Sequence, residues 1–253
     1  RLVNTSQKIL SRKQSSILSA ASVITIASLL SAIFGFVRDR MLIARFYNDV
    51  AQLDAYWVAF RIPELTFQLL VVGALCASFI PVFSKYAKKN SQEAYQMANV
   101  ILNLILLFYI VISIAIYIFA ESLSASITST NFSYDQVLLA ARLSRVMILA
   151  QFFFAISNFL TSVIQANHRF LVPALAPLAY NAGIIIGIIF LTPIYGIFAP
   201  AYGVVLGALL HLVIQFPLAY RFGFRYRPTI SFYHPGVREM IRLMPPRTMA
   251  IAI

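Results

Sequence analysis

The sequence predicts an all-α polytopic membrane protein, and three observations carry that reading. Of its 253 residues, 60% are hydrophobic and only 11% charged, where a soluble domain would carry about 25% charge. The mean hydropathy is +0.82. The apolar residues also fall in long runs between short polar segments, with no alternating pattern of the kind that builds a membrane β-barrel.

A helix rises ~1.5 Å per residue, so crossing the hydrocarbon core takes about 20 mostly apolar residues. Six runs meet that requirement. The first, Ile17–Val37, carries no charge and closes on "FGFVRDRML". The second, Leu65–Phe83, is led in by Ala55–Phe60, which places the unit at 55–83. The third covers 97–120 without a charged residue. The fourth, 137–164, carries Arg142 and Arg145 near its start and no other charged residue. The fifth, 171–191, holds Pro173, Pro177 and the "GIIIG" of Gly183 to Gly187; the sixth, 201–220, holds Gly203, Gly207 and His211. A seventh begins near Val237. Small residues at four-residue spacing let helices approach closely, so "GIIIG" is read as packing. Pro63, Pro81, Pro173, Pro177 and Pro217 lie in or beside these spans and bend them.

The ends suggest a segment of a longer protein, because the chain opens on Arg1 and stops at "TMAIAI" within a helical pattern. No small-residue cleavage site follows the first run, so no cleavable signal is expected. The single cysteine, Cys76, has no partner for an internal disulfide or a metal site and reads as a small buried hydrophobe. The net charge of +12 lies between apolar helices rather than on a solvated face, which argues for anionic lipid rather than nucleic acid.

Charge also orients the chain. One set of connecting segments carries Arg1, Lys8, Arg12, Lys13, Lys85, Lys88, Lys89, Arg169, Arg221, Arg225, Arg227, Arg238 and Arg242; the other carries Arg38, Arg40 and Arg45, offset by Asp39, Asp49 and Asp54. The positive-inside rule therefore predicts a cytoplasmic N-terminus. Five arginines remain on the disfavoured side: Arg38, Arg40, Arg61, Arg142 and Arg145. Arg142 and Arg145 sit roughly 8–12 Å inward from the outer end of their span. Two readings stand: snorkelling to the interface, which suits Arg40 and Arg61, or a polar cavity lined by these groups. Arginine's planar fork grips phosphate with two hydrogen bonds and keeps its proton, so such a cavity suits an anionic, phosphorylated substrate. Asp39, Asp54 and Glu64 would then be its internal partners. Gln68, Gln151, Asn158, Asn181 and His211 read as interhelix hydrogen bonds. No phosphate-binding glycine loop, HExxH or GxSxG occurs, so neither an enzyme nor a cofactor is expected.

Six stretches taken together, "GFVRD", "LDAYWVAFRIPEL", "FIPVFSKY", "QANHRFLVPALAPLAYN", "GVVLGALLHLVIQFP" and "HPGVREMIRLMPPRT", resemble the MurJ (MviN) family in order and spacing. The resemblance implies a lipid II flippase of the multidrug/oligosaccharidyl-lipid/polysaccharide (MOP) exporter superfamily in the bacterial inner membrane. Such a protein moves the undecaprenyl-diphosphate-linked peptidoglycan precursor outward by alternating access. It implies two helical lobes around a cationic cavity, with residues 1–235 forming the first and 236–253 starting the second. Its partners would be lipid II, membrane lipids and other cell-wall synthesis proteins. By position, Arg38 and Asp39 match the family's Arg-Asp pair at the end of the first helix, Asp54 its acidic residue before the second, and Arg145 a basic residue early in the fourth. The chain departs at Ala32 and Gln68, where many members carry arginine, and at Val72, where they carry glutamate. The substrate-contacting set is accordingly Arg38, Asp39, Asp54, Arg61, Arg142 and Arg145, with no metal. Rival readings are an exporter of another polyprenyl-linked glycan and a non-transporting membrane scaffold.

Overall fold

The computed structural model describes residues 17–67, 75–128, 131–229, 231 and 233–252, with side chains over 21–65, 78–128, 131–229, 231 and 233–243. The described residues form helices: α1 Ile17–Phe46, α2 Val50–Phe67, α3 Leu75–Lys89, α4 Ser91–Ile127, α5 Tyr134–Ala166, α6 Leu171–Ile186, α7 Thr192–Tyr195, α8 Phe198–Arg221 and α9 Pro235–Ala252. A π turn, Gly187–Leu191, joins α6 to α7. Five stretches are long and apolar enough to cross a membrane: Ala21–Phe46, Ser91–Ile127, Tyr134–Ala166, Leu171–Tyr195 and Phe198–Arg221. The expected second span corresponds to α2 and α3 on either side of residues 68–74. Its middle, with Gln68, Val72 and Gly73, lies outside the described residues, as does the Cys76 side chain.

Local chemistry explains the boundaries. The first helix runs nine residues past the expected Val37, because "RDRMLIARF" contains no helix breaker. Asp49 then caps α2, its carboxylate accepting from the Gln52 amide at 3.2 Å. Asn90 caps α4 by accepting from the amides of Gln92 (2.9 Å) and Glu93 (3.3 Å). Ser133 and Gln136 form a reciprocal capping box on α5. Gly196 turns the chain between α7 and α8 at φ +53°, where a side chain would be strained.

The bundle is assembled around α5, which packs against α2, α3, α4 and α8; α6 lies along α8, and α1 rests on α6 with a light touch on α2. One apolar core at the basic end joins Phe79, Phe83, Met97, Ile101, Phe159 and Val163. A second, toward the opposite end, joins Leu42, Tyr56, Leu143, Met147, Ile184, Ile188 and Val204. Much of the remaining surface is apolar too: Leu29, Ile33, Phe36, Val111, Phe119 and Phe190 are all exposed. A soluble protein would not tolerate that surface, but lipid accepts it.

At the basic end the chain leaving α8 is strapped to α4 by two asparagines one turn apart. Asn99 donates to the Arg225 carbonyl (2.9 Å) and accepts from the Arg227 amide (2.8 Å). Asn103 donates to the carbonyls of Arg227 and Thr229, both at 2.9 Å. The start of α9 then enters the first core through Val237 and Met240, and Glu239 pairs with Lys85 at 2.8 Å. That hydrogen bond raises the pKa of the Lys85 ammonium above its ordinary value. The expected lobe boundary at residue 235 falls at the first residue of this docked helix.

The tightest contact is between α6 and α8. A Cβ on Gly183 would lie 2.3 Å from Gly207 Cα, one on Gly187 2.6 Å from Gly203 Cα, and one on Gly207 2.4 Å from the Tyr180 carbonyl. Backbone meets backbone here, so nothing flexible can yield. Gly207→Ala should therefore destabilise the fold by about 1–3 kcal/mol, whereas Gly35→Ala, whose Cβ would meet Asn181 only at 3.9 Å, should be close to neutral. Thermal unfolding of the purified variants in detergent checks the pair; equal midpoints would contradict the packing.

Candidate functional site: an arginine tied to a groove in the bundle

Ser31, Gly35 and Arg38 recur at four and three residues, so α1 presents them on one face. That face meets Asn181 of α6. Arg38 Nη1 donates to Asn181 Oδ1 at 2.9 Å, and Asn181 Nδ2 donates back to the Ser31 carbonyl and hydroxyl at 3.3 and 3.4 Å. On its other edge Arg38 pairs with Asp39, through Nε at 2.9 Å and Nη2 at 2.8 Å. All three guanidinium nitrogens are thus engaged, yet 20% of the side chain stays exposed. The five N–H donors of a guanidinium exceed what these contacts use. Tyr56 and Tyr180 lie within electrostatic reach of both members of the pair.

Beside this cluster two cavities open between α1, α2, α5, α6 and α8. One, of about 260 Å³, is lined by Glu64, Gln151, Phe154, Asn158, Tyr180 and His211 among others. The other, of about 390 Å³, is lined by Ser28, Ser31, Asn158, Thr161, Gln165 and His211 among others. They share Asn158, Pro177 and His211, so they adjoin as one groove whose mainly apolar walls carry a few polar groups. Behind it a buried network ties α5 to α8. Ser157 Oγ contacts His211 Nδ1 at 2.6 Å and donates to the His211 carbonyl at 3.0 Å. Gln215 donates to Ser157 Oγ at 2.7 Å and accepts from Thr161 at 2.6 Å. The Gln151 Oε1 atom, by contrast, is buried with no hydrogen-bond partner among the described residues.

The structure separates the arginines that the sequence groups together. Arg38 is linked through Asn181 to Ser31, which lines the groove. Arg145 turns to α4, where it donates to the Tyr117 carbonyl (3.1 Å), lies over the Tyr117 ring and meets Glu121 at 3.4 Å. Arg142 is exposed on roughly the opposite side of α5 from the groove-lining Met147, Gln151 and Asn158. Asp54 and Arg61 share an exposed stripe of α2 with Val50 and Leu65. Of the expected acidic partners, Asp39 pairs with Arg38 and Glu64 lines the groove.

Asn181 and His211 make the interhelix bonds expected of them, whereas Asn158 donates within its own helix to the Phe154 carbonyl at 2.9 Å. Sequence reading missed Ser157, Thr161 and Gln215. The signal available was their spacing, since Ser157 and Thr161 on α5, like His211 and Gln215 on α8, stand four apart on one face. Among the described residues no group of His, Cys, Asp or Glu is arranged to hold a metal ion.

Long apolar helices packed around a groove define a polytopic membrane protein. Comparison with known proteins carries this further: the family model described as lipid II flippase MurJ matches residues 43–253, and the chain belongs to that family. The lipid II flippase MurJ of Burkholderia cenocepacia is 26% identical over 234 residues, 89% of this chain and 45% of that protein. The Thermosipho africanus protein of the same name is 30% identical over 195 residues, 77% of this chain and 40% of that one. A solved lipid II flippase MurJ in an inward closed conformation superposes with a TM-score of 0.73 at 25% identity, covering 94% of this chain and 48% of its own. A MOP superfamily transporter from Pyrococcus furiosus shares the fold, with a TM-score of 0.55 at 18% identity, over 91% of this chain and 49% of that one. The chain spans about half the length of the curated relatives it matches.

The Arg38–Asn181 bond generates a test of the site's construction. Asn181→Leu leaves a half-buried guanidinium edge unpaired and frees α1 from α6. It should cost about 1–3 kcal/mol, read as a lower thermal midpoint with helix content unchanged by circular dichroism. An unaltered midpoint would show that Asn181 does not anchor Arg38.

Proposed function

We propose that this chain supplies one lobe of a lipid II flippase, with Arg38 as a holder of the substrate diphosphate. The observation that carries the reading is the placement of Arg38 between Asp39 and Asn181, the latter bonded in turn to the groove-lining Ser31. A guanidinium held flat from both sides presents its remaining donors without losing more side-chain freedom, and suits a phosphate oxygen pair. The diphosphate headgroup travels along the groove, while the isoprenoid tail stays in lipid against the apolar flank of the bundle. Asp39 holds the charge between transport cycles, and Asp54 and Arg61 contribute at the outer rim. On this reading Arg142 and Arg145 serve the membrane interface instead, since both stand away from the groove. Residues 236–253 begin a second lobe that completes the cavity, and alternating access arises from rocking one lobe against the other.

In a full-length flippase built on this lobe, Arg38→Ala should abolish lipid II export and growth in cells depleted of their own flippase, at normal membrane levels. Arg38→Lys should restore export only in part, because a point charge keeps the attraction but loses the fork. Arg12→Ala should be nearly silent. Normal export by Arg38→Ala would reduce Arg38 to a structural strut of α1.

The proposed orientation places the N-terminus and the Lys85–Lys89 segment in the cytoplasm. In a Cys76→Ala background, Ser126→Cys should react with a membrane-impermeant thiol reagent in intact cells and Lys88→Cys only after permeabilisation. The reverse order of labelling would invert the topology.

A further inference from the structure

We propose that the basic end of the bundle carries a second anion site, which takes the headgroup phosphate of an anionic membrane phospholipid. The site is the cavity of about 390 Å³ between the first turns of α4 and the strapped segment 222–227, lined by Ser91, Gln92, Gln96, Arg225 and Arg227 among others. Among the described residues no carboxylate lines it. The α4 amides of Gln92 and Glu93 are already bonded to the Asn90 side chain, so the attraction comes from the arginines rather than from the helix end.

The strap makes the two arginines a pair. Asn99 and Asn103 engage the carbonyls of Arg225 and Arg227, oxygens that would otherwise repel an anion. Two residues apart in the strapped segment, both arginines line the same cavity, so one phosphate group can engage the pair. Arg225 is further fixed over the Tyr220 ring, with Nη1 donating to the carbonyls of Tyr220 and Phe224. Those contacts leave its Nε and Nη2 edge to a ligand.

The surroundings favour a phosphate borne by a lipid over one free in solution. Tyr220 and Tyr226 are exposed beside the cavity, and Phe216, stacked 6.2 Å from Tyr220, continues an exposed apolar track along α8 through Val213. Exposed aromatic residues at a helix end mark the headgroup level of a bilayer. An acyl chain laid along that track sets its phosphate at Arg225 and Arg227.

The test uses the purified chain in nanodiscs of phosphatidylcholine with increasing phosphatidylglycerol, counting retained phosphatidylglycerol by native mass spectrometry. R225Q/R227Q should weaken retention by about tenfold, the equivalent of one charge-assisted hydrogen bond. R238Q/R242Q, which removes the same charge from α9 positions that do not line the cavity, should change it by no more than about twofold. Gln96→Glu, a near-isosteric change that adds a negative charge to the cavity wall, should weaken retention as well, and it keeps the test sharp if the double variant unfolds. Unchanged retention in R225Q/R227Q, or in Gln96→Glu if the double variant unfolds, overturns the site. Equal losses in the two double variants reduce it to diffuse surface charge. Displacement of the lipid by millimolar inorganic phosphate would assign the site to a soluble anion and overturn the lipid assignment.

Discussion

The contact on which this lobe depends is the seam of four glycines between α6 and α8. With no side chains between them, the two backbones come close enough for the α-carbon of one glycine to occupy the place of the other's Cβ. That closeness sets where α6 lies, and α6 in turn sets where α1 lies, because α1 rests chiefly on α6. Asn181 is the polar link in the chain: its amide reads α1 through Ser31 and holds Arg38 by its oxygen. Arg38 is thus positioned by a van der Waals seam that it never touches.

The polar residues of the bundle divide into two kinds. Ser157, His211, Gln215 and Thr161 satisfy one another across α5 and α8 and so make a rigid wall, as buried hydrogen bonds must where water is excluded. Gln151 and the Arg38 fork keep unused bonding capacity next to the groove. With a bonded network behind and incompletely bonded groups in front, the wall holds its shape while the lining can exchange partners. Arg145 illustrates the alternative fate of a charge in such a helix. Glu121 and the Tyr117 ring absorb it between two neighbours, well away from the groove.

Much of the fold was legible in the residues. Asn90 and the Ser133–Gln136 pair start their helices by local capping, and "GIIIG" announced a close contact that the structure finds with Gly203 and Gly207. The first helix ran further than its apolar run suggested, because helix propensity continues through "RDRMLIARF" after hydrophobicity stops. Arg38 and Asp39 were legible as a pair, while Arg142 and Arg145 looked equivalent to them in depth. Depth follows from counting along one helix; facing does not.

The sequence by itself determined the membrane class, five of the crossing helices, their small-residue seam and the asymmetric placement of basic residues. Each of these follows from composition or from spacing within one segment. Only the tertiary structure decided which polar faces converge: Arg38 with Asn181, Ser157 with His211, and Arg145 with Glu121 rather than with the groove. The reason is physical. In water the apolar side of a helix marks the protein interior, but here lipid and interior are both apolar, so hydrophobic phase does not distinguish them. What remains to orient each helix is steric fit and a handful of long-range hydrogen bonds, and these exist only once the helices are side by side.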